Sequence, residues 1–209
     1  MIGAVALACF WLTPGPATAQ PEWKLPHGSN TDFRHTGTGI VGIDGDFAIF
    51  GNPEDDQMCP ADSADCDAGA AHIYQLLDGQ WQQVKRLTDP TPASGNKFGQ
   101  TVAVGGDYVL VSSRRDFATS QSPTAGAGFV YYRHQGGTDN WGLQKKLKPS
   151  HIDSSDVLDF GRTLDISPNH AALSYNDNGG FGRRIYVFER DRDGVDNWGL
   201  LRAFGASTF

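Results

Sequence analysis

The chain has 209 residues, enough for one domain or two small ones, and its 39% apolar and 20% charged side chains exclude disordered and membrane-embedded classes. Gly (26) and Pro (11) make it heavy in turn formers, without a collagen-like period. A net charge of −7 argues against nucleic acid as a partner, because phosphate binding needs clustered Lys and Arg, and Arg114-Arg115 and Arg183-Arg184 are isolated pairs.

The run Ile2 to Leu12 carries no charge and is too short to cross a bilayer as a helix. Pro14 and Pro16 follow, then Ala17-Thr18-Ala19, the small-x-small shape that signal peptidase accepts. Residues 1–19 are therefore expected to be a signal peptide, cleaved before Gln20, although no Lys or Arg stands near Met1. A buried N-terminal strand is the competing reading. A lipoprotein signal at Cys9 fits less well, because Ala6 stands where an apolar residue is usual. The implied location is outside the cytoplasm: periplasmic, cell-surface or secreted. No transmembrane segment is expected. Residues 20–32 form an N-terminal segment whose Trp23-Lys24-Leu25 resembles the end of each later repeat. Glu22 to Leu25 reads either as a strand that closes a ring or as a linker that contains a Trp.

Export leaves two cysteines, Cys59 and Cys66, and predicts a disulfide between them, since oxidising compartments preserve such pairs. A metal pair fails on partners, because no other Cys remains and no His lies close in sequence. The loop from Pro53 to Ala68 is about twice the usual connection length. It carries both cysteines and six acids: Glu54, Asp55, Asp56, Asp62, Asp65 and Asp67. Long tethered surface loops commonly hold function, so these six residues form the candidate binding loop. A solvated insertion with no role is the alternative.

Three segments of the chain repeat one another. The first joins IVGIDGDFAIFGNPEDD to AGAAHIYQLLDGQWQQVKRL, the second FGQTVAVGGDYVLVSSRRD to AGAGFVYYRHQGGTDNWGLQKKL, and the third FGRTLDISPNHAALSYND to RRIYVFERDRDGVDNWGLLRAF. Trp81, Trp141 and Trp198 stand 60 and 57 residues apart, and Asp139 to Leu143 recurs as Asp196 to Leu200. Each repeat reads as four short strands. In the second these are Thr101–Val104, Tyr108–Ser112, Phe129–Arg133 and Trp141–Leu147, with Gly-rich turns between the first and second pairs. The apolar run from Tyr108 suits a strand covered on both faces. No segment has a sustained helical period. The expected fold is all-β, with three four-stranded antiparallel sheets stacked as β-propeller blades. The blades are assigned to residues 33–97, 98–159 and 160–209.

This arrangement resembles the FG-GAP repeat family, the integrin-α-type β-propeller repeat, in its bacterial exported branch. Phe98-Gly99 and Phe160-Gly161 supply the Phe-Gly pair, and Gly51-Asn52-Pro53 supplies the Gly-Ala-Pro with Asn in place of Ala. The first repeat departs at Gly37-Thr38, the second at Ser112-Ser113-Arg114 and the third at Ser174-Tyr175-Asn176. The resemblance implies that the Phe ring fills the space between blades and that the Gly permits close backbone approach. Integrin-type repeats often bind calcium in the first hairpin turn. The corresponding turns here, Asp44-Gly45-Asp46, Gly105-Gly106-Asp107 and Pro168-Asn169-His170, carry too few carboxylates to wrap an ion. Asp191, Asp193 and Asp196 are the remaining calcium candidate and read instead as a solvated turn. No cofactor is expected.

No catalytic constellation stands out. No two of His27, His35, His72, His134, His151 and His170 share metal-binding spacing on one element, and neither a Gly-x-Ser-x-Gly elbow nor a phosphate loop is present. The expected function is a non-catalytic exported module for protein or glycan interaction or adhesion. The alternatives are an extracellular hydrolase acting on polymer through its acidic loops or a structural fragment. Three blades do not close a ring, which needs at least four. The chain is thus expected to be part of a longer product, to assemble with another copy, or to form an open arc.

Overall fold

The computed structural model describes residues 40–58, 66–113, 126–148, 160–176 and 183–205. The expected signal peptide and N-terminal segment, and the departure at Gly37-Thr38, lie outside them. The described residues are all-β, with no helix, in three four-stranded antiparallel sheets whose strand order follows the chain. The first sheet is β1 (Val41–Asp44), β2 (Phe47–Asn52), β3 (Ala70–Leu77) and β4 (Gln80–Thr88). The second is β5 (Phe98–Gly105), β6 (Tyr108–Ser113), β7 (Ala127–Tyr132) and β8 (Gly142–Leu147). The third is β9 (Leu164–Ile166), β10 (His170–Asn176), β11 (Arg183–Glu189) and β12 (Gly199–Gly205).

Side-chain alternation explains why these sheets stack as blades. Along β6, Val109 and Val111 pack into a core shared with Phe47, Ile49 and Ile73 of the first sheet. Tyr108 and Leu110 point the other way, into a core shared with Ala171, Leu173 and Tyr186 of the third. The same division splits β7, with Phe129 and Tyr131 on one face and Val130 on the other. Since successive strand residues face opposite ways, a strand covered on both sides carries apolar residues at consecutive positions, as Tyr108 to Val111 do. All six residues of β6 are buried.

The sheets are equivalent residue by residue. Each has a bulge between its third and fourth strands, at Ile73/Tyr74, Val130/Tyr131 and Val187/Phe188. The residues pairing with the first member of each are Lys85, Lys145 and Arg202. A backbone bond repeats at the mouth of the second hairpin: Leu76 N to Asp46 O (2.8 Å), Arg133 N to Asp107 O (2.8 Å) and Arg190 N to Asn169 O (2.9 Å).

The Phe-Gly pairs act where sheets meet. Phe98 is fully buried, edge-on to Phe129 at 5.4 Å and Tyr131 at 6.3 Å; Phe160 meets Tyr186 in the same way at 5.7 Å. Gly99, with φ +88°, lies against the backbone of Ala70 and Asn52 in the first sheet. The second repeat has lost the glycine that Gly51 supplies in the first. Its replacement, Ser112, accepts a bond from Thr101 N at 3.0 Å through its Oγ, and Ser174 accepts one from Thr163 N at the same distance. A side-chain hydroxyl has thereby become part of the strand pairing.

Candidate functional site

The acidic loop turns much of its charge inward. Asp55 is 1% exposed. Its Oδ1 accepts from Arg86 Nη2 of β4 at 2.6 Å and from Gln57 N at 3.0 Å. Asp56 Oδ1 accepts from Asp67 N at 2.7 Å, which ties the two ends of the loop together. Glu54 and Asp67 both face Lys97 Nζ, at 4.0 and 3.3 Å. These four acids hold the loop against β4 and the entry to β5. Asp62, Asp65 and Cys59 lie outside the described residues. Cys66 is buried.

His72 of β3 stands beside this network, its Nε2 4.0 Å from Asp55 Oδ2. It occupies the position of Phe129 in the second sheet: His72 pairs with Phe50 and Arg86 as Phe129 pairs with Val111 and Lys146. Burial pushes its pKa below the ordinary 6.5; Asp55 opposes this and Arg86 adds to it. Folding thus favours the neutral ring, and the stability this contributes is present above pH 6.5 and lost as pH falls below it toward the folded value. The expected result is a melting temperature that declines as pH drops through 6 to 5, with a smaller decline in His72→Phe, measured by circular dichroism. An equal decline in the two proteins would rule out His72 as the source.

A second site was not visible from sequence motifs. The first strands of the three sheets, β1 and β5 with the approach to β9, converge on an open cavity of 320 Å³. Val41, Gly42 and Ile43 of β1 line one side of it; Thr101, Arg162, Thr163 and Asp165 line the rest, with two hydroxyls and one charge of each sign. Thr101 Oγ1 donates to Arg162 O at 3.1 Å, which fixes the second sheet to the third at this rim. Val41 and Ile43 are 56% and 67% exposed, in contrast to the sealed faces between sheets. The signal that could have located this cavity is positional: in every repeat it is the strand before the first hairpin turn that contributes to it.

The turns considered for calcium have other work. Asp44 Oδ2 accepts from Gly106 N of the second sheet at 2.7 Å, and Asp191 Oδ1 accepts from Asp196 N at 2.6 Å within its own turn. Among the described residues, no three His, Cys, Asp or Glu side chains are grouped to hold a metal ion. No helix among them is long and apolar enough to cross a membrane.

A family model described as the FG-GAP repeat matches residues 81–131. The match runs from Trp81 of the first sheet through β5 and β6 into β7, and so includes Phe98-Gly99 and the face they seal. No curated protein matches the chain. The match shows an FG-GAP repeat at residues 81–131, and the three four-stranded sheets of one register and one bulge pattern are consistent with β-propeller blades.

Proposed function

We propose that this protein is an exported, non-catalytic β-propeller module that binds a protein or glycan ligand at the cavity where its first strands converge. The observation that carries this reading is the open cavity lined by Val41, Ile43, Thr101, Arg162 and Asp165. An apolar surface beside a few polar groups suits recognition of an extended, partly polar ligand. The inward-turned acids Asp55, Asp56 and Asp67 support a structural role for the described part of the 53–68 loop, and Asp62 and Asp65 remain the candidate binding residues of that loop. Three repeats at 33–97, 98–159 and 160–209 complete the reading. So does export directed by residues 1–19, with Cys59 and Cys66 joined in a disulfide.

The test is a glycan array and a panel of extracellular matrix proteins, run beside a hydrolase panel on the same preparation. Retained ligand that is lost at least tenfold in Arg162→Ala and Ile43→Asp, with no turnover, is the expected result. Hydrolysis of a polymer, or ligand binding indifferent to both substitutions, would refute it. N-terminal sequencing of the exported protein, with Gln20 first, checks the export step.

A further inference from the structure

The first strand of each sheet is an edge strand. Among the described residues, β1, β5 and β9 each pair on one side only, with the second strand of their own sheet. In an antiparallel pair, residues that bond to the partner strand alternate with residues whose N–H and C=O point away from it. Individual bonds fix the phase of that alternation here. Gly51 N donates to Ile40 O at 2.8 Å, so Gly42 and Asp44 bond to β2 while the backbone groups of Val41 and Ile43 point outward. Ser174 N donates to Thr163 O and Ser167 N to His170 O, both at 2.8 Å, which turns the backbone of Leu164 and Ile166 outward. In β5 the equivalent two-residue turn, Gly106-Asp107, turns Val102 and Val104 outward.

Val41, Ile43, Val102, Val104 and Leu164 all line the cavity. It is therefore bordered by three rows of main-chain donors and acceptors as well as by side chains. The rows are not equal. The side chains of Val102, Val104 and Ile166 are buried, whereas those of Val41 and Ile43 are exposed. Natural edge strands are commonly protected by shortness, a charge, a Pro or a bulge. β9 is three residues long and carries Asp165, and β5 has a register shift between Phe98 and Val102. β1 runs against β2 without a shift and contains no Pro, and the carboxylate of its one charged residue, Asp44, accepts from Gly106 N at 2.7 Å.

From this we infer that the ligand of the cavity is an extended peptide segment that adds as a strand to the outer edge of β1, an inference that rests on the cavity being the binding site. The outward groups of Val41 and Ile43 recur about 7 Å apart, which is the repeat of a facing strand's own donors and acceptors. Main-chain bonds then supply affinity with little regard to sequence. Arg162 and Asp165, which also line the cavity, supply selection by charge.

The test selects random decapeptides displayed on phage against the full chain, then titrates the enriched peptide by fluorescence anisotropy. Its affinity should fall at least tenfold in Arg162→Ala and Ile43→Asp. A scan of the peptide by single N-methylation leaves the protein untouched and reads the main-chain bonds directly. Methylation at every second residue of one stretch should weaken binding about tenfold, through loss of a hydrogen bond and steric conflict with β1, and the residues between should tolerate it. A peptide that needs the cavity residues but shows no alternation would overturn strand addition and leave the cavity reading standing. So would a glycan that needs those residues when no peptide is enriched. Peptide binding indifferent to both substitutions would overturn the cavity reading and this inference together. A concentration-dependent dimer of the chain abolished by Ile43→Asp would overturn the inference too, because the edge would then be occupied by a second copy.

Discussion

Gly99→Ala is expected to destabilise the protein by about 2–5 kcal/mol, from backbone strain of about 1–2 kcal/mol and overpacking of about 1–3 kcal/mol. Two separate causes act at this position. Its φ of +88° lies in the left-handed region that side chains avoid, and a Cβ there would overlap the carbonyl oxygen of Ala70, a backbone atom in the neighbouring sheet. The obstacle is backbone on both sides, so no rotamer change relieves it. Gly51 faces Gly99 across the same junction, and a Cβ on it would overlap the Gly99 carbonyl oxygen. By contrast, Gly79, with a similar φ of +75°, has open space around it and should lose only the strain on replacement by Ala. Urea denaturation of Gly99→Ala and Gly79→Ala measures the difference. Equal losses would mean that the sheets do not approach as closely as their backbone contacts require.

Trp141→Ala is expected to cost a similar amount, about 3–5 kcal/mol, the usual cost of emptying a fully buried large aromatic site. Trp141 is 1% exposed and closes the junction between the first two sheets, with Phe47 beside it and the Arg133 guanidinium over the Phe47 ring. Trp81, at the same place in its own hairpin, is only half-buried and is expected to cost distinctly less. Chemical denaturation of the two alanine variants, followed by far-ultraviolet circular dichroism, checks the order. If Trp81→Ala proved the more damaging, the junction would not depend on the second sheet's Trp as its contacts indicate.

Much of this architecture could be read from the chain because the repeat reports its own boundaries. The strands expected at Thr101–Val104 and Tyr108–Ser112 are found within Phe98–Gly105 and Tyr108–Ser113. The extra length of β5 comes from the register shift between Phe98 and Val102, which lets the Phe-Gly pair join the strand. Alternation of apolar residues follows from the pleat and is local, so it is legible. The candidate site was less so. An acidic run shows charge but not partners: Asp55 finds Arg86, 31 residues away, on a strand whose pattern gives no hint of it. The central cavity takes residues from three strands in three different repeats, and no single stretch of sequence carries its outline. The replacement of Gly by Ser at position 112 looks like decay of a motif. In the structure Ser112 gains a bond from Thr101 N and still lies close against Gly161 of the next repeat.

Among the described residues, the middle sheet is clad on both faces, whereas the first and third each leave apolar side chains exposed, Ile43 and Phe204 among them. Cohesion in such a stack resides in couplings between nearest neighbours, as in a linear chain of interacting spins. Loss of order should therefore begin in the two outer sheets and advance inward one junction at a time, and the strands around Leu110 and Val130 should hold out longest against solvent exchange.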